Sequence, residues 1–325
     1  MKSISRKRRA LAAALTLSMA LPYAPAFAQG DKVIRMIVPN APGSSVDSLS
    51  RTIGDKLAKA AGGSIVIENL PGAGGVPGTA QLTRAPKDGL TLGMVSNNHV
   101  VNPSLYKKIP YDALKDVTPI TVVAGSPFVL VAHPSVQAKD LKELVALAKA
   151  HGDELTIGSS GNGTILHLAA EALQSETGIK LRHVPYKGTG QLTTDLLGGQ
   201  IQLAFLGVTG AAQHIKAGKL RAIGVSTTTP SSLLPNVAPL AQQGAPNYNL
   251  QGWIALIGPG GLPAPVTNKL YSDVKALLGT KEVQDALTAQ GFTPMGTPPD
   301  ATAALFQNEM TRYATLVKQS GMTID

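Results

Sequence analysis

The residues that could do chemistry in this 325-residue chain are mostly small and neutral, and rich in hydrogen-bond donors. They fall in clusters: Asn40, Gly43, Ser44 and Ser45; Gly72, Ala73, Gly74 and Gly75; Ser96 and Asn97; Ser159, Ser160, Asn162 and Thr164; Tyr186, Lys187 and Gly188; Gly207 and Thr209. Each cluster follows a short apolar run. Glycine strips side chains from the backbone, and Ser, Thr and Asn add hydroxyl and amide donors. At a helix start the first N–H groups have no internal partner and the dipole favours negative charge, so such a cluster suits an anion. The donor-rich, weakly charged set favours a ligand with one or two carboxylates. A plainer reading stands beside this one. Ser44, Ser45 and Asp47, like the 159–164 cluster, are what a helix start prefers as caps. The 72–75 cluster serves as a tight turn, although three glycines in four residues exceed what one turn needs. Asp47 would repel a carboxylate and is read as a cap or hinge. Lys187 is the best single counter-charge, and Tyr186 a wall of the cleft.

Other chemistries are disfavoured. There is no cysteine, which removes thiol catalysis, disulfides and Cys-based metal sites. His99, His133, His151, His167, His183 and His214 show no metal-ligand spacing, so no metal and no cofactor is expected. His167 is read as a structural donor. No G-x-S-x-G elbow occurs; Gly158-Ser159-Ser160-Gly161 is a near miss without an identifiable base. The expectation is binding without catalysis. The rivals are an exported hydrolase or lyase, and a ligand-sensing module for a signalling partner.

The elements that position these clusters alternate as strand, polar turn, helix. Residues 33–39 and 64–69 read as strands, each running into a glycine turn and then a helix. Residues 90–95 form a third strand and 102–112 an irregular excursion. Residues 119–124 and 128–133 form a long strand pair around Gly125-Ser126-Pro127, a candidate interdomain crossing. From residue 138 the pattern repeats: strands at 155–158, 181–185 and 201–207 carry polar turns, with helices at 165–177 and 191–197 between them. The Thr-, Ser- and Pro-rich run 227–235 reads as a return linker. A strand at 253–259 and helices at 264–278, 281–290 and 300–320 complete the chain. This is an α/β protein, with strand ends gathering ligand-binding turns at one sheet edge.

Composition fits an exported globular protein. Lys2, Arg6, Lys7, Arg8 and Arg9 precede an apolar run and Ala26-Phe27-Ala28, the plan of a Sec-type signal peptide over residues 1–28, cleaved after Ala28. Its removal changes the formal charge from +9 to 9 − 5 = +4, too mild for a nucleic-acid stripe. Aromatic residues at 4% also argue against a base-stacking surface. A periplasmic location and a monomer are expected.

An ordered set of motifs resembles the Bug-type receptors, the extracytoplasmic solute receptors of tripartite tricarboxylate transporters. The set comprises Val38-Pro39…Pro42-Gly43…Asp47, Glu68-Asn69-Leu70-Pro71-Gly72-Ala73-Gly74-Gly75, Pro86-Lys87-Asp88-Gly89, Asn102-Pro103-Ser104-Leu105-Tyr106, Gly161-Asn162-Gly163-Thr164…His167-Leu168, His183-Val184-Pro185-Tyr186-Lys187-Gly188 and Gly252-Trp253. It spans essentially the whole chain after residue 28. The family usually has Pro-Gly-Gly in the first turn; here Ser44 follows Gly43 and adds a hydroxyl. Asn40 and Leu70 are further departures. The resemblance implies a two-domain periplasmic-binding-protein fold (type II-like), with the ligand cleft between domains joined by crossing strands. Domain one would comprise 29–124 plus 228–325, and domain two 125–227. It also implies capture of a small carboxylate without catalysis, largely through backbone N–H groups, small hydroxyls and bridging waters, and delivery to integral-membrane permease subunits; the expected mechanism is hinge closure, with domain two adding hydroxyl and Lys187 contacts.

Overall fold

The computed structural model describes residues 32–151 and 154–320; the signal peptide expected at 1–28 lies outside the described residues. In chain order the elements are β1 (Lys32–Val38), α1 (Ser45–Ala60), β2 (Gly63–Asn69), α2 (Val76–Thr83), β3 (Thr91–Ser96), α3 (Asn98–Leu105), β4 (Val117–Ala132), α4 (Leu141–His151), β5 (Thr156–Ser159), α5 (Ile165–Thr177), β6 (Arg182–Pro185), α6 (Thr189–Leu197), β7 (Leu203–Gly207), α7 (Val208–Lys216), β8 (Arg221–Val225), β9 (Gln251–Pro259), α8 (Ala264–Leu278), α9 (Lys281–Ala289), β10 (Thr293–Pro294) and α10 (Pro299–Ser320).

Among the described residues the strands form one sheet in the order β2-β1-β3-β9-β4-β7-β5-β6, with β8 and β10 also on β4. β1 pairs in parallel with β2 and β3, and β5 in parallel with β6 and β7. The turns after β1, β3, β5 and β7 thus lie at carboxyl strand ends, as the strand–turn–helix repeat requires. β3 is buried along nearly its whole length because helices cover both faces, which is why it reads as a continuous apolar run rather than an alternation.

β4 is the shared element. The sequence suggests two strands bent at Gly125-Ser126-Pro127; the structure has one strand through that point. Its partner changes there: residues 117–127 pair with β9, while 128–132 pair with β7 and β8. Register shifts follow Pro119 and Val122, consistent with the ladder bond that a proline cannot donate.

Three other elements differ from expectation. Residues 98–105 are helical despite Pro103, because Val100, Val101 and Leu105 are buried where α3 packs on α10. The irregular excursion is therefore confined to the residues after Leu105. α7 begins directly at Val208, where a turn was expected, and β10 adds a two-residue strand to β4.

Asn97 ties β3, β9 and α10 together. Its Oδ1 accepts the Trp253 N–H at 2.8 Å, and its Nδ2 donates to Tyr313 Oη at 2.8 Å and to the Gln251 carbonyl at 3.2 Å. The residue is 1% exposed. Asn97→Ala should lower the unfolding free energy by about 2–4 kcal/mol in urea titrations, because several buried polar groups lose a partner together. An unchanged midpoint would show that these bonds contribute nothing.

Candidate functional site

A cavity of about 570 Å³ opens where the two halves of the sheet meet at β4. Its walls are built from helix starts. At α1, the Ser44 hydroxyl accepts the Asp47 N–H, and the Asp47 carboxylate accepts the Gly43 N–H at 2.9 Å. At α5 the same reciprocal scheme recurs: the Thr164 hydroxyl accepts the His167 N–H, and His167 Nδ1 accepts the Gly163 N–H at 3.1 Å. Both are variants of the capping box in which the N3 side chain, a carboxylate in one and an imidazole in the other, accepts the N–H of the residue before the N-cap. Each ties down the N–H groups flanking the first turn and leaves residues Ser45 and Val46, or Ile165 and Leu166, lining the cavity. α6 and α7 also begin at the cavity, after Gly188 and Gly207, and no side chain caps either. Several positive dipole ends therefore converge on one space.

The lining contains no Asp, Glu, Lys or Arg; His214 is its one titratable side chain. Asp47 lies just behind it. Burial raises the Asp47 pKa, but bonds from Arg51, the Gly43 amide and Asn69 outweigh burial and hold it below the usual carboxylate range. Its charge is thus spent on Arg51, whose guanidinium lies 2.9 Å away, rather than offered to a ligand.

The halves touch across the cavity. Asn98 Oδ1 accepts the Ile165 N–H at 3.2 Å, and the Thr209 hydroxyl donates to the Gln290 carbonyl. Phe128 and Trp253 supply aromatic walls, with Trp253 stacked on Phe306 at 5.0 Å.

The sequence-nominated residues divide into two groups. Asn40, Gly43, Ser44, Ser45, Ser96 and Asn97 line the cavity from one half; Ser160, Thr164, Gly207 and Thr209 line it from the other. Within that group the Asn97 amide is already engaged by the backbone of β9 and by Tyr313. The remainder lie outside the lining. Gly72, Ala73, Gly74 and Gly75 turn against Pro39 and Asn102: Asn102 Nδ2 donates to the Gly74 carbonyl at 3.0 Å, and a Cβ at Gly75 would stand 2.9 Å from the Pro39 carbonyl oxygen. That close packing, with positive φ from 72 to 75, is what the glycines serve here.

Ser159 is fully buried beneath the 160–164 loop. Its hydroxyl donates to the Gly161 carbonyl and lies 2.7 Å from His183 Nε2. His183 stacks on His167 at 3.7 Å; burial, with His167 beside it, lowers its pKa to about 4. The Ser159–His183 pair supports the loop from below and has no exposed nucleophile. Asn162 and Lys187 are exposed outside the lining, and Tyr186 packs over Gly158, with its hydroxyl directed to Asp195. Gly188 precedes the lining residue Thr189. Phe205 is fully buried against Tyr248, because alternation along β7 turns Leu206 to the cavity instead.

Sequence reasoning missed Ser126, Phe128, the α6 face and His214. The signal for α6 is present, since Thr189, Thr193 and Leu197 recur at helical spacing, but the helix begins two residues before the expected 191.

An α/β sheet in two halves joined through one strand, with a donor-lined cavity between them, defines a solute-binding receptor of the periplasmic-binding-protein class. The chain belongs to the tripartite tricarboxylate transporter family of receptors, whose profile matches residues 49–322. It is 34% identical to protein BugT of Bordetella pertussis over 89% of each chain. Among solved structures it resembles the periplasmic binding protein BugD (29% identity, TM-score 0.81, covering 90% of this chain and 99% of that one). It also resembles R. palustris Rpa4515 with adipate (27% identity, TM-score 0.84, 90% and 98% covered). Family members are periplasmic receptors, and the chain is a solute-binding protein of that kind.

Asp47→Asn should lower stability at pH 7 by roughly 2 kcal/mol, the scale of charged hydrogen bonds lost. Because the folded carboxyl titrates below its unfolded value, the native protein loses this contribution as pH falls through that depressed range. Thermal melts should therefore show the gap between native and Asp47→Asn narrowing on acidification; a constant gap would refute the assignment.

Proposed function

We propose that the protein captures a small carboxylate and delivers it to integral-membrane permease subunits. One carboxylate of the ligand seats where α1, α5 and α7 begin, taking N–H groups of Ser45, Val46 and Leu166, hydroxyls of Ser44 and Ser45, and the start of α7 at Gly207 and Thr209. The observation that carries this reading is the convergence of capped and uncapped helix starts on a cavity without acidic or strongly basic side chains. Oriented backbone dipoles stabilise an anion at low desolvation cost because they are already in place.

The mechanism is hinge closure of two lobes, 29–124 with 228–325 against 125–227. In the open form a carboxylate meets the α1 rim first. The α5 and α7 rims then close on it, and Asn98–Ile165 and Thr209–Gln290 hold the closed form. The ligand shifts this equilibrium only by its added contacts in the closed state. Binding proceeds without turnover: the buried Ser159–His183 pair is occupied in supporting the loop. The receptor works as a monomer in the periplasm, after removal of residues 1–28.

Titration calorimetry on protein stripped by unfolding and refolding tests this. At least one mono-, di- or tricarboxylate should bind, and its neutral amide should bind about a hundredfold more weakly, the worth of one or two charge-assisted hydrogen bonds. Equal affinity for acid and amide, or turnover of the bound acid, would contradict the reading.

A further inference from the structure

α6 and α7 give the cavity more than their first turns. Thr193 and Leu197 follow Thr189 at intervals of one helix face, and His214 follows Gly210 by one turn on the face that also carries Gly207. At about 1.5 Å per residue, His214 lies about 6 Å further along α7 than Gly210, and Thr194 about 6 Å beyond Gly190 on α6. The cavity therefore has a far end, away from the helix starts. There the polar lining residues are Thr193, Thr194 and His214, while Leu197 supplies apolar wall.

His214 stands out at that end. It is the one titratable side chain in the lining, it is partly buried, and its ring makes no hydrogen bond or ion pair with the described residues. Its neighbours bring no competing charge into the cavity. β4 and β7, on which α7 packs, present only apolar residues over 128–132 and 203–207. On α6 the one acid, Asp195, is directed to Tyr186. Lys216 and Lys219, the charges nearest along its own chain, are exposed outside the lining. Asp47, across the cavity, is neutralised by Arg51.

We propose that His214 is the specificity-determining residue for the far end of the ligand. It receives a second carboxylate, so the receptor selects a dicarboxylate whose acid groups are separated by an apolar spacer of several methylenes. This rests on the carboxylate reading above. The His214 ring offers the second carboxylate an N–H donor. Threonine hydroxyls beside it complete the seat, and the spacer lies against the apolar wall.

The test compares succinate, adipate and suberate with their monomethyl esters by calorimetry. At least one diacid should bind about tenfold more tightly than its monoester, the worth of one charge-assisted hydrogen bond. His214→Ala should reduce that diacid to the affinity of its ester, and His214→Gln, which keeps an N–H donor, should restore part of the preference. A native-like preference for the diacid in His214→Ala would overturn the proposal. So would equal binding of diacids and esters by the native protein, which leaves the carboxylate reading standing. Failure of all these acids and esters to bind would overturn the proposal as well, and the carboxylate reading falls with it only if the wider panel of mono-, di- and tricarboxylates also fails to bind.

Discussion

β4 belongs to both halves of the sheet, and the other donors of the cavity take their positions from that strand. Residues 117–127 are laddered to β9 and residues 128–132 to β7 and β8. The change of partner falls at Ser126 and Phe128, which themselves line the cavity. The return chain is pinned at the same level: Phe128 N–H donates to Ser226 Oγ, Ser226 N–H to the Phe128 carbonyl, and Leu250 N–H to the Ser226 carbonyl. Gly252 lets the strands close there, since a Cβ would lie 2.4 Å from the Ser126 carbonyl oxygen. A small change of backbone angle in this short zone would swing β5, β6, β7 and the helices that follow them as a body. The constraint that holds the halves together is thus also the natural place for them to bend.

With no Lys or Arg in the cavity, anion recognition falls to dipoles fixed by the fold. This explains why the capping scheme is repeated at α1 and α5. A helix start whose flanking N–H groups are satisfied internally can offer its first turn in a fixed direction. Asp47 and His167 do this without entering the cavity, and Arg51 and Asn69 hold Asp47 in turn. At the helix starts the cost of a charged side chain is avoided, and a carboxylate seated there can leave without breaking a buried ion pair. The contacts across the cavity are correspondingly light: a backbone N–H to Asn98 and a hydroxyl to a carbonyl.

Much of this was legible in the sequence, because period and turn chemistry are local. The strand–turn–helix repeats, the starts of α1 and α5 and the crossing near residue 126 follow from apolar runs bounded by Gly, Ser and Thr. What was hidden depends on tertiary packing. α3 forms around Pro103 because its buried face meets α10. The 72–75 glycines read as a ligand loop, yet they pack on Pro39 and Asn102. Tyr186 and Lys187 looked like ligand contacts by type alone, but the short β6 strand carries them past the cavity. Which residues of β7 face the cavity is a matter of alternation parity, which a sequence does not reveal until the strand's partners are known. His214 showed no motif because its significance lies in the absence of any other titratable group around the cavity.

The central claim is that an anion draws the two halves together across the helix starts. Because the chain has no cysteine, spin labels can be placed at Lys59→Cys on α1 and Lys219→Cys beyond α7, both exposed outside the cavity, without other labelling sites. Pulsed electron–electron double resonance on refolded protein, before and after saturation with a dicarboxylate shown by calorimetry to bind, then reads the separation directly. The account predicts a broad distribution in the free protein that becomes narrower and shifts with ligand to the distance of the closed structure. An identical distribution in both samples, with the ligand fully bound, would contradict it.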